Sequence, residues 1–405
     1  MIEAVNKCNK VVVLCHYEFP VGFASTTRIL AYCSGLIKNG VLAEIFVARW
    51  IADNEGQPIS GVVNGIPYKN SHLWHTKRGK LYKHLIDKPL IRRNAISDIK
   101  ESNRNLKIDW VLISDDNLDN LEYFVPRLKR EGFRIAFIGD EYPEPMRTNL
   151  VESISPDQIK RYKKIYEKID ARILMTKSLQ DFYDKLVCPK PSFILPSIID
   201  ATRFDIQVPR TVRENSNYLC YMGGFEPTSD NLDVMIKAFA RVLSSYPELE
   251  LRLYGAPSEQ NRRLFEKVAI QESISAKVRF MGRVENQEVP NVLANAKIVL
   301  TSQPDNIRIR GSFSTKIGEY IASGTPTLVT EVGSIPLYFE HNKNIFFARV
   351  NDIEDYAHQI LYILSDYSHA MDVAEEGKRY IKQFFNAEFL TKGLVTFLEK
   401  VASKN

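Results

Sequence analysis

The chain has 405 residues, 44% of them hydrophobic and 25% charged, with a formal net charge of +5. Those proportions exclude disordered, collagenous and coiled-coil chains, and the length calls for two domains of roughly 200 residues each. No run approaches ~18 consecutive apolar residues, so no membrane-spanning helix is expected.

The first residues, Met1 to Lys7, run straight into a strand-like segment without the layout of a secretory signal, which points to a cytoplasmic protein. The apolar run over 11–15 predicts a buried parallel strand. Pro20 and Gly22 break the chain after it, and Ser25 or Thr26 is placed to cap a helix that ends near Asn39-Gly40. A strand over 43–48 follows, then a hairpin around Asn64-Gly65. Further strands are expected over 110–113, 135–138, 173–175 and 193–195, with helices between them.

Residues 71–100 carry eight basic side chains, from Lys77, Arg78, Lys80 and Lys83 to Lys100, against Asp87 and Asp98. The net +6 there leaves about −1 for the rest of the chain. Leu81, Leu85, Ile86, Leu90, Ile91 and Ile96 interleave with these charges, so the segment fits either an amphipathic helix on an anionic membrane surface or a solvated face over a core stripe. The five cysteines (Cys8, Cys15, Cys33, Cys188, Cys220) show no Cys-x-x-Cys spacing and read as free, buried thiols rather than disulfides or a zinc site.

The polar, nearly aperiodic stretch 201–217 reads as a linker. Strand and helix signals then resume: strands over 218–222, 249–254, 277–281, 297–301, 325–329 and 344–347, and helices near 231–246, 258–272, 286–296, 315–323, 352–366 and 368–385. The expected division is 1–200, linker 201–217, 218–385, and a last helix over 386–405 that packs back on the first domain. Both domains are α/β and doubly wound, which places ligands at the carboxyl ends of the strands, in the cleft between the domains.

No Gly-x-Gly-x-x-Gly turn follows the first strand of either half, and P-loop and Gly-x-Ser-x-Gly motifs are absent. The seven histidines show no metal-ligand spacing beyond His72 and His75. Dehydrogenase, P-loop kinase, hydrolase and zinc enzyme lose weight accordingly. What remains is the segment from Ile307 to Val329. It contains a short helix with Ser314 at its N-cap, free amides at its start, and Arg308, Arg310 and Lys316 nearby, a set suited to a diphosphate. Glu319, one turn on, is placed to accept two vicinal hydroxyls such as those of a ribose.

Four stretches together resemble glycosyltransferase family 4, the retaining nucleotide-sugar transferases of GT-B fold. They are Phe19-Pro-Val-Gly-Phe-Ala-Ser-Thr-Thr-Arg with Leu36-Ile-Lys-Asn-Gly; Ile169-Asp-Ala-Arg-Ile-Leu-Met-Thr with Ile194-Leu-Pro-Ser and Phe204; Tyr221-Met-Gly-Gly with Val278-Arg-Phe-Met-Gly-Arg-Val; and Phe313-Ser-Thr-Lys-Ile-Gly-Glu-Tyr-Ile-Ala-Ser-Gly-Thr-Pro. The resemblance implies two Rossmann-like domains and a donor site built from Gly22, Gly223, Gly224, Arg308, Ser314, Thr315, Lys316 and Glu319. The pattern is incomplete. The first of the family's two glutamates falls on Gly311, its arginine after the glycine pair falls where Phe225 and Glu226 stand, and its lysine a few residues on has no match before Asn231. Arg308, Arg310 and Lys316 are the cations left to replace them. A family histidine falls near Gly139-Asp140-Glu141, which makes Asp140 and Glu141 candidates beside Lys316 and Arg310 for the catalytic set.

The implied activity is transfer of a hexosyl group from a nucleoside diphosphate sugar, UDP before GDP, to a hydroxyl of a glycan, with retention. A lipid-linked oligosaccharide of surface polysaccharide assembly suits the basic segment. No Asp-x-Asp motif is present, and no metal or other cofactor is expected; nor is nucleic acid a partner. Two other readings share the architecture: a nucleotide-sugar 2-epimerase and a non-catalytic nucleotide-sugar-binding subunit.

Overall fold

The computed structural model describes residues 7–22, 24–52, 58–74, 83–186 and 189–404. They form two compact units, one of residues 1–198 with 387–405, the other of residues 199–386.

The first unit is built on β1 (Lys10–Cys15), β2 (Leu42–Ala52), β3 (Ser60–Val63), β4 (Ile66–Trp74), β5 (Trp110–Ser114), β6 (Ile135–Gly139), β7 (Ala171–Leu174) and β8 (Ser192–Ile194). Their order is β3-β4-β2-β1-β5-β6-β7-β8. All are parallel except the β3–β4 hairpin. Every residue of β1, β5, β6 and β7 is buried, as unbroken apolar runs covered on both faces require. The hairpin turns at Asn64 and Gly65, both with positive φ (51° and 77°), the geometry a two-residue turn demands.

The helix Ala24–Lys38 begins ahead of Ser25 and Thr26, so neither caps it. Thr26 instead lies inside the first turn, where its hydroxyl donates to the Glu18 carbonyl at 2.6 Å. The last helix, Ala387–Ser403, belongs to this unit. A Cβ on Gly35 would collide with Thr391 and the Ala387 carbonyl, so a glycine is needed where the two helices meet. Asn39 Nδ2 seals the contact, donating to Glu388 O at 2.9 Å and Thr391 Oγ1 at 3.0 Å.

Residues 75–82, with Lys77, Arg78 and Lys80, and also Cys188, lie outside the described residues. The basic segment that follows is a turn, Lys83–Asp87, leading into the helix Lys88–Asn105. That helix buries Ile91, Ala95, Ile99 and Ser102, a stripe at helical spacing that serves the core. Arg92 donates to Asn120 Oδ1 from two nitrogens, and Lys100 pairs with Glu131 at 2.8 Å. Leu85 and Ile86 on the turn remain exposed. Cys8, Cys15, Cys33 and Cys220 are free and buried; burial pushes the Cys15 thiol up to about 12, so it is unreactive. Among the described residues no helix is long and apolar enough to cross a membrane.

The second unit has six parallel strands: β9 (Tyr218–Met222), β10 (Glu250–Tyr254), β11 (Val278–Gly282), β12 (Ile298–Thr301), β13 (Thr327–Thr330) and β14 (Phe346–Ala348). Their order, β11-β10-β9-β12-β13-β14, is that of a doubly wound nucleotide-binding sheet, reversing between β9 and β12. The stretch expected as a linker, 201–217, is part of this unit. It contains a 3-10 turn, Ala201–Phe204, and a short helix, Arg210–Glu214. Phe204 is fully buried, and buried Arg213 donates to the carbonyls of Val208 and Ser323. Single anchors without period explain why the sequence reads as unstructured there.

Candidate functional site

In each sheet the strand order reverses beside the first strand of its unit, and there the carboxyl ends leave a crevice. The candidate residues collect at those two places, described in turn.

In the second unit β9 ends at Met222 and runs into Gly223-Gly224-Phe225. A Cβ on Gly223 would collide with the Tyr221 hydroxyl and stand 3.2 Å from Lys316 Nζ. Gly255, with φ of 144°, backs the loop, since a Cβ there would meet the Gly223 carbonyl and the Phe225 ring. Phe225 has φ of 60°, a conformation that costs a bulky residue energy. Its ring turns into the core, edge-on to Tyr221 at 5.3 Å and beside Phe280 at 6.1 Å. The position where the resemblance calls for an arginine therefore faces hydrophobic packing.

Lys316 stands in the first turn of the helix Thr315–Ala322, where it forms an ion pair with Asp230. The Asp230 side chain is 3% exposed and that of Lys316 21%. Ser314 occupies the N-cap, yet its side chain makes no cap hydrogen bond, so it leaves the first-turn amides uncapped. Thr315 is exposed beside it. Tyr320 fastens this helix to the end of β9: its hydroxyl accepts from Met222 N at 2.8 Å and donates to Met222 O at 2.6 Å. Gly318 is required because a Cβ there would run into Ile199.

Arg308 and Arg310 sit on the short turn Ile307–Arg310, whose Ile307 and Ile309 are buried. Arg308 donates to Thr228 Oγ1 at 3.3 Å, and Asn306 Nδ2 to Thr228 O at 2.8 Å. Arg308 thus reaches the same 226–230 loop that supplies Asp230. Arg310 pairs instead with Asp305 at 2.7 Å, and Gly311 is buried. Glu319 accepts from Arg203 at 2.8 Å, and Arg203 also donates to the Asn286 backbone and side chain. Burial raises the Glu319 pKa above the ordinary 4.5, with Arg203 pulling the other way. Asp230, Arg203 and Tyr221 are the residues that sequence reasoning missed: two are polar residues in loops, and the third stands in a buried strand.

In the first unit a cavity of about 280 Å³ opens at the ends of β1, β5 and β6, lined by His16, Arg28, Asp115, Asp140, Glu141 and Tyr166 among others. Asp140 pairs with Arg28 at 3.0 Å, both largely buried. Burial raises the Asp140 pKa and Arg28 opposes the rise. Glu141 pairs with Arg147, which also takes Asp116 at 2.8 Å. Burial alone would lower the His16 pKa; its contact with Asp115, 3.1 Å away, outweighs that and raises it. His16, Asp115 and Asp116 bring three ligand-type atoms within 4.8 Å of one another. Their oxygens already have partners: Asp115 accepts from Asn117 N and Asn120 Nδ2, and Asp116 from Arg147. Gly22 lies in the loop after β1, where a Cβ would collide with Thr26 Oγ1.

Two doubly wound units, each with its residues at the reversal of its sheet, are the GT-B architecture. Residues 203–380, most of the second unit, match the model for glycosyl transferases group 1. An uncharacterized glycosyltransferase of Bacillus subtilis is 20% identical over 83% of this chain and 91% of its own. The N-acetyl-alpha-D-glucosaminyl L-malate synthase of Bacillus anthracis is 24% identical over 44% of each chain. Among solved structures, the sucrose-phosphate synthase of Thermosynechococcus elongatus superposes with a TM-score of 0.71 at 13% identity, covering 98% of this chain and all of that one. HepE of Anabaena in complex with UDP gives 0.68 at 13% identity over 96% of this chain and all of its own.

Proposed function

We propose that the protein transfers a hexosyl group from a UDP-sugar to a hydroxyl of a glycan acceptor, with retention of configuration and without a metal ion. The observation that carries this reading is the start of the Thr315–Ala322 helix. Its uncapped amides, Lys316 beside Gly223, and Arg308 on the adjoining loop gather positive charge at the reversal of a nucleotide-binding sheet. Glu319, one turn along, is the acceptor for ribose hydroxyls. The UDP carried by HepE in its solved complex favours uridine as the base.

In the reaction the acceptor oxygen bonds to the anomeric carbon as the bond from that carbon to the diphosphate breaks. The electron pair departs on the phosphate oxygen, and the acceptor proton ends on the leaving diphosphate on the same face. Lys316, Arg308 and the helix-start amides counter the charge that grows there. Asp140 and Glu141, in the first unit's cavity, are candidates to bind sugar hydroxyls. Exposed Leu85 and Ile86 beside the basic segment favour a lipid-linked acceptor of surface polysaccharide assembly, met by a cytoplasmic protein at the inner face of the cell membrane.

Incubation with a panel of UDP- and GDP-sugars tests the reading. Release of UDP with glycoside formation in the presence of acceptor is the expected result. Isomerised sugar nucleotide without transfer, or donor binding without turnover, would replace it with an epimerase or a binding subunit.

A further inference from the structure

The lysine and arginine missing from the glycine loop leave Lys316 as the cation nearest to Gly223, and the structure holds that cation in an unusual way. Asp230, a residue no sequence motif marks, has its carboxylate buried to 3% exposure and ion-paired to Lys316. The Asp230 backbone is fixed on both sides: its own N–H donates to Glu226 O at 2.7 Å, and the next N–H, of Asn231, donates to Ser302 O at 2.7 Å beyond β12. Tyr221, fully buried in β9, stands beside the pair with its ring centroid 5.1 Å from Lys316 Nζ, and its hydroxyl accepts from Phe225 N at 3.3 Å. Burial first, and then the Asp230 charge, raise the Tyr221 pKa, so the phenol stays protonated.

We propose that Asp230, backed by Tyr221, is a positioning residue that holds the Lys316 ammonium over Gly223, ready for the leaving diphosphate. The inference rests on the role given to Lys316 above. A lysine side chain is long and mobile, and an anchored carboxylate removes the freedom that would otherwise be lost when the donor binds. Asp230 engages one ammonium proton of three, and the Lys316 side chain is more exposed than that of Asp230. The lysine therefore meets a ligand while Asp230 stays behind it. Only a glycine at 223 leaves room for this arrangement.

The test uses the full chain with the donor found by the panel, and compares Asp230→Asn, Tyr221→Phe, Lys316→Ala and each of the first two combined with Lys316→Ala. Turnover, donor KM, UDP affinity by calorimetry and melting temperature are measured for each. Asp230→Asn is expected to lower kcat about tenfold to a hundredfold, with UDP binding unchanged or tighter, since a negative charge is removed. In the Lys316→Ala background it is expected to add less than about twofold, because its effect passes through the lysine. Tyr221→Phe is expected to lower kcat about threefold to tenfold, and it decides the matter if Asp230→Asn does not fold. Equal losses of kcat with and without Lys316, or wild-type turnover in the folded variants while Lys316→Ala is slow, would overturn this proposal alone. Wild-type turnover of Lys316→Ala at saturating donor would remove both this proposal and the role of Lys316.

Discussion

Each unit holds, in a loop that follows one of its strands, a buried carboxylate paired with a cation, and the two pairs differ in which partner reaches water. In the first unit Arg28 and Asp140 are buried alike, at 15% and 13% exposure, and the pair is closed. In the second unit Asp230 is hidden and Lys316 is the partner that remains accessible. The same topology thus yields a pair suited to tying the helix that carries Arg28 to the end of β6 in one place and a pair suited to offering a positive charge in the other. Burial, rather than the presence of charge, separates the two.

Substitution of the cation in the open pair is expected to have the largest effect. Lys316→Ala should lower turnover ~10²–10³-fold at saturating donor with the fold intact, the value of one electrostatic donor to a leaving group. Steady-state kinetics beside a melting curve reads both. Asp140→Ala, in the closed pair, is expected to cost about 3 kcal/mol of stability by leaving Arg28 buried without its partner, as urea unfolding would show. A loss of turnover at unchanged stability would instead be the signature of the sugar-binding role proposed for Asp140 and would blur the contrast between the two pairs.

Glu319→Ala is expected to weaken donor binding, each charged hydrogen bond lost being worth ~1.5–3 kcal/mol. Wild-type affinity by calorimetry would detach this residue from the ribose. Because burial raises the Glu319 pKa, the group takes up its proton at a higher pH than a free glutamate. Donor affinity should therefore fall on acidification with a midpoint above 4.5, and the Glu319→Ala variant should lack that limb. The smallest effect per residue is expected at the basic segment. Changing Lys77, Arg78, Lys80 and Lys83 to glutamine should release the protein from anionic vesicles, at about 1 kcal/mol for each charge near the surface. Flotation at low and high salt tests this; equal flotation of wild type and variant would make the segment a solvated face.

Much of this organisation is legible in the chain itself. Strands such as β1 and β5 announce themselves because parallel strands covered on both faces are unbroken apolar runs, and Asn64-Gly65 marks its hairpin because few other residues adopt two positive φ values in succession. The helix carrying Lys316 and Glu319 is readable from its cap and from the breaks around it. Its partners are not. Asp230 and Arg203 act through tertiary contact with residues 86 and 116 positions away, and no local pattern records such a pairing. Arg203 is further concealed in a stretch whose polarity imitates a linker. Ser314 shows the opposite limit: it stands at the cap position, yet its hydroxyl does not cap.

The return of the last helix to the first unit bears on how the protein is made. Residues 199–386 are contiguous and have all their strands in hand once the ribosome has passed them. The first unit, although its sheet is synthesised earlier, lacks the helix that covers Gly35 and Asn39 until residues 387–403 have emerged. The half translated first is accordingly the half finished last, and a stop codon after residue 386 would spare the later half and leave the earlier one with an uncovered apolar face, a substrate for chaperones and proteases.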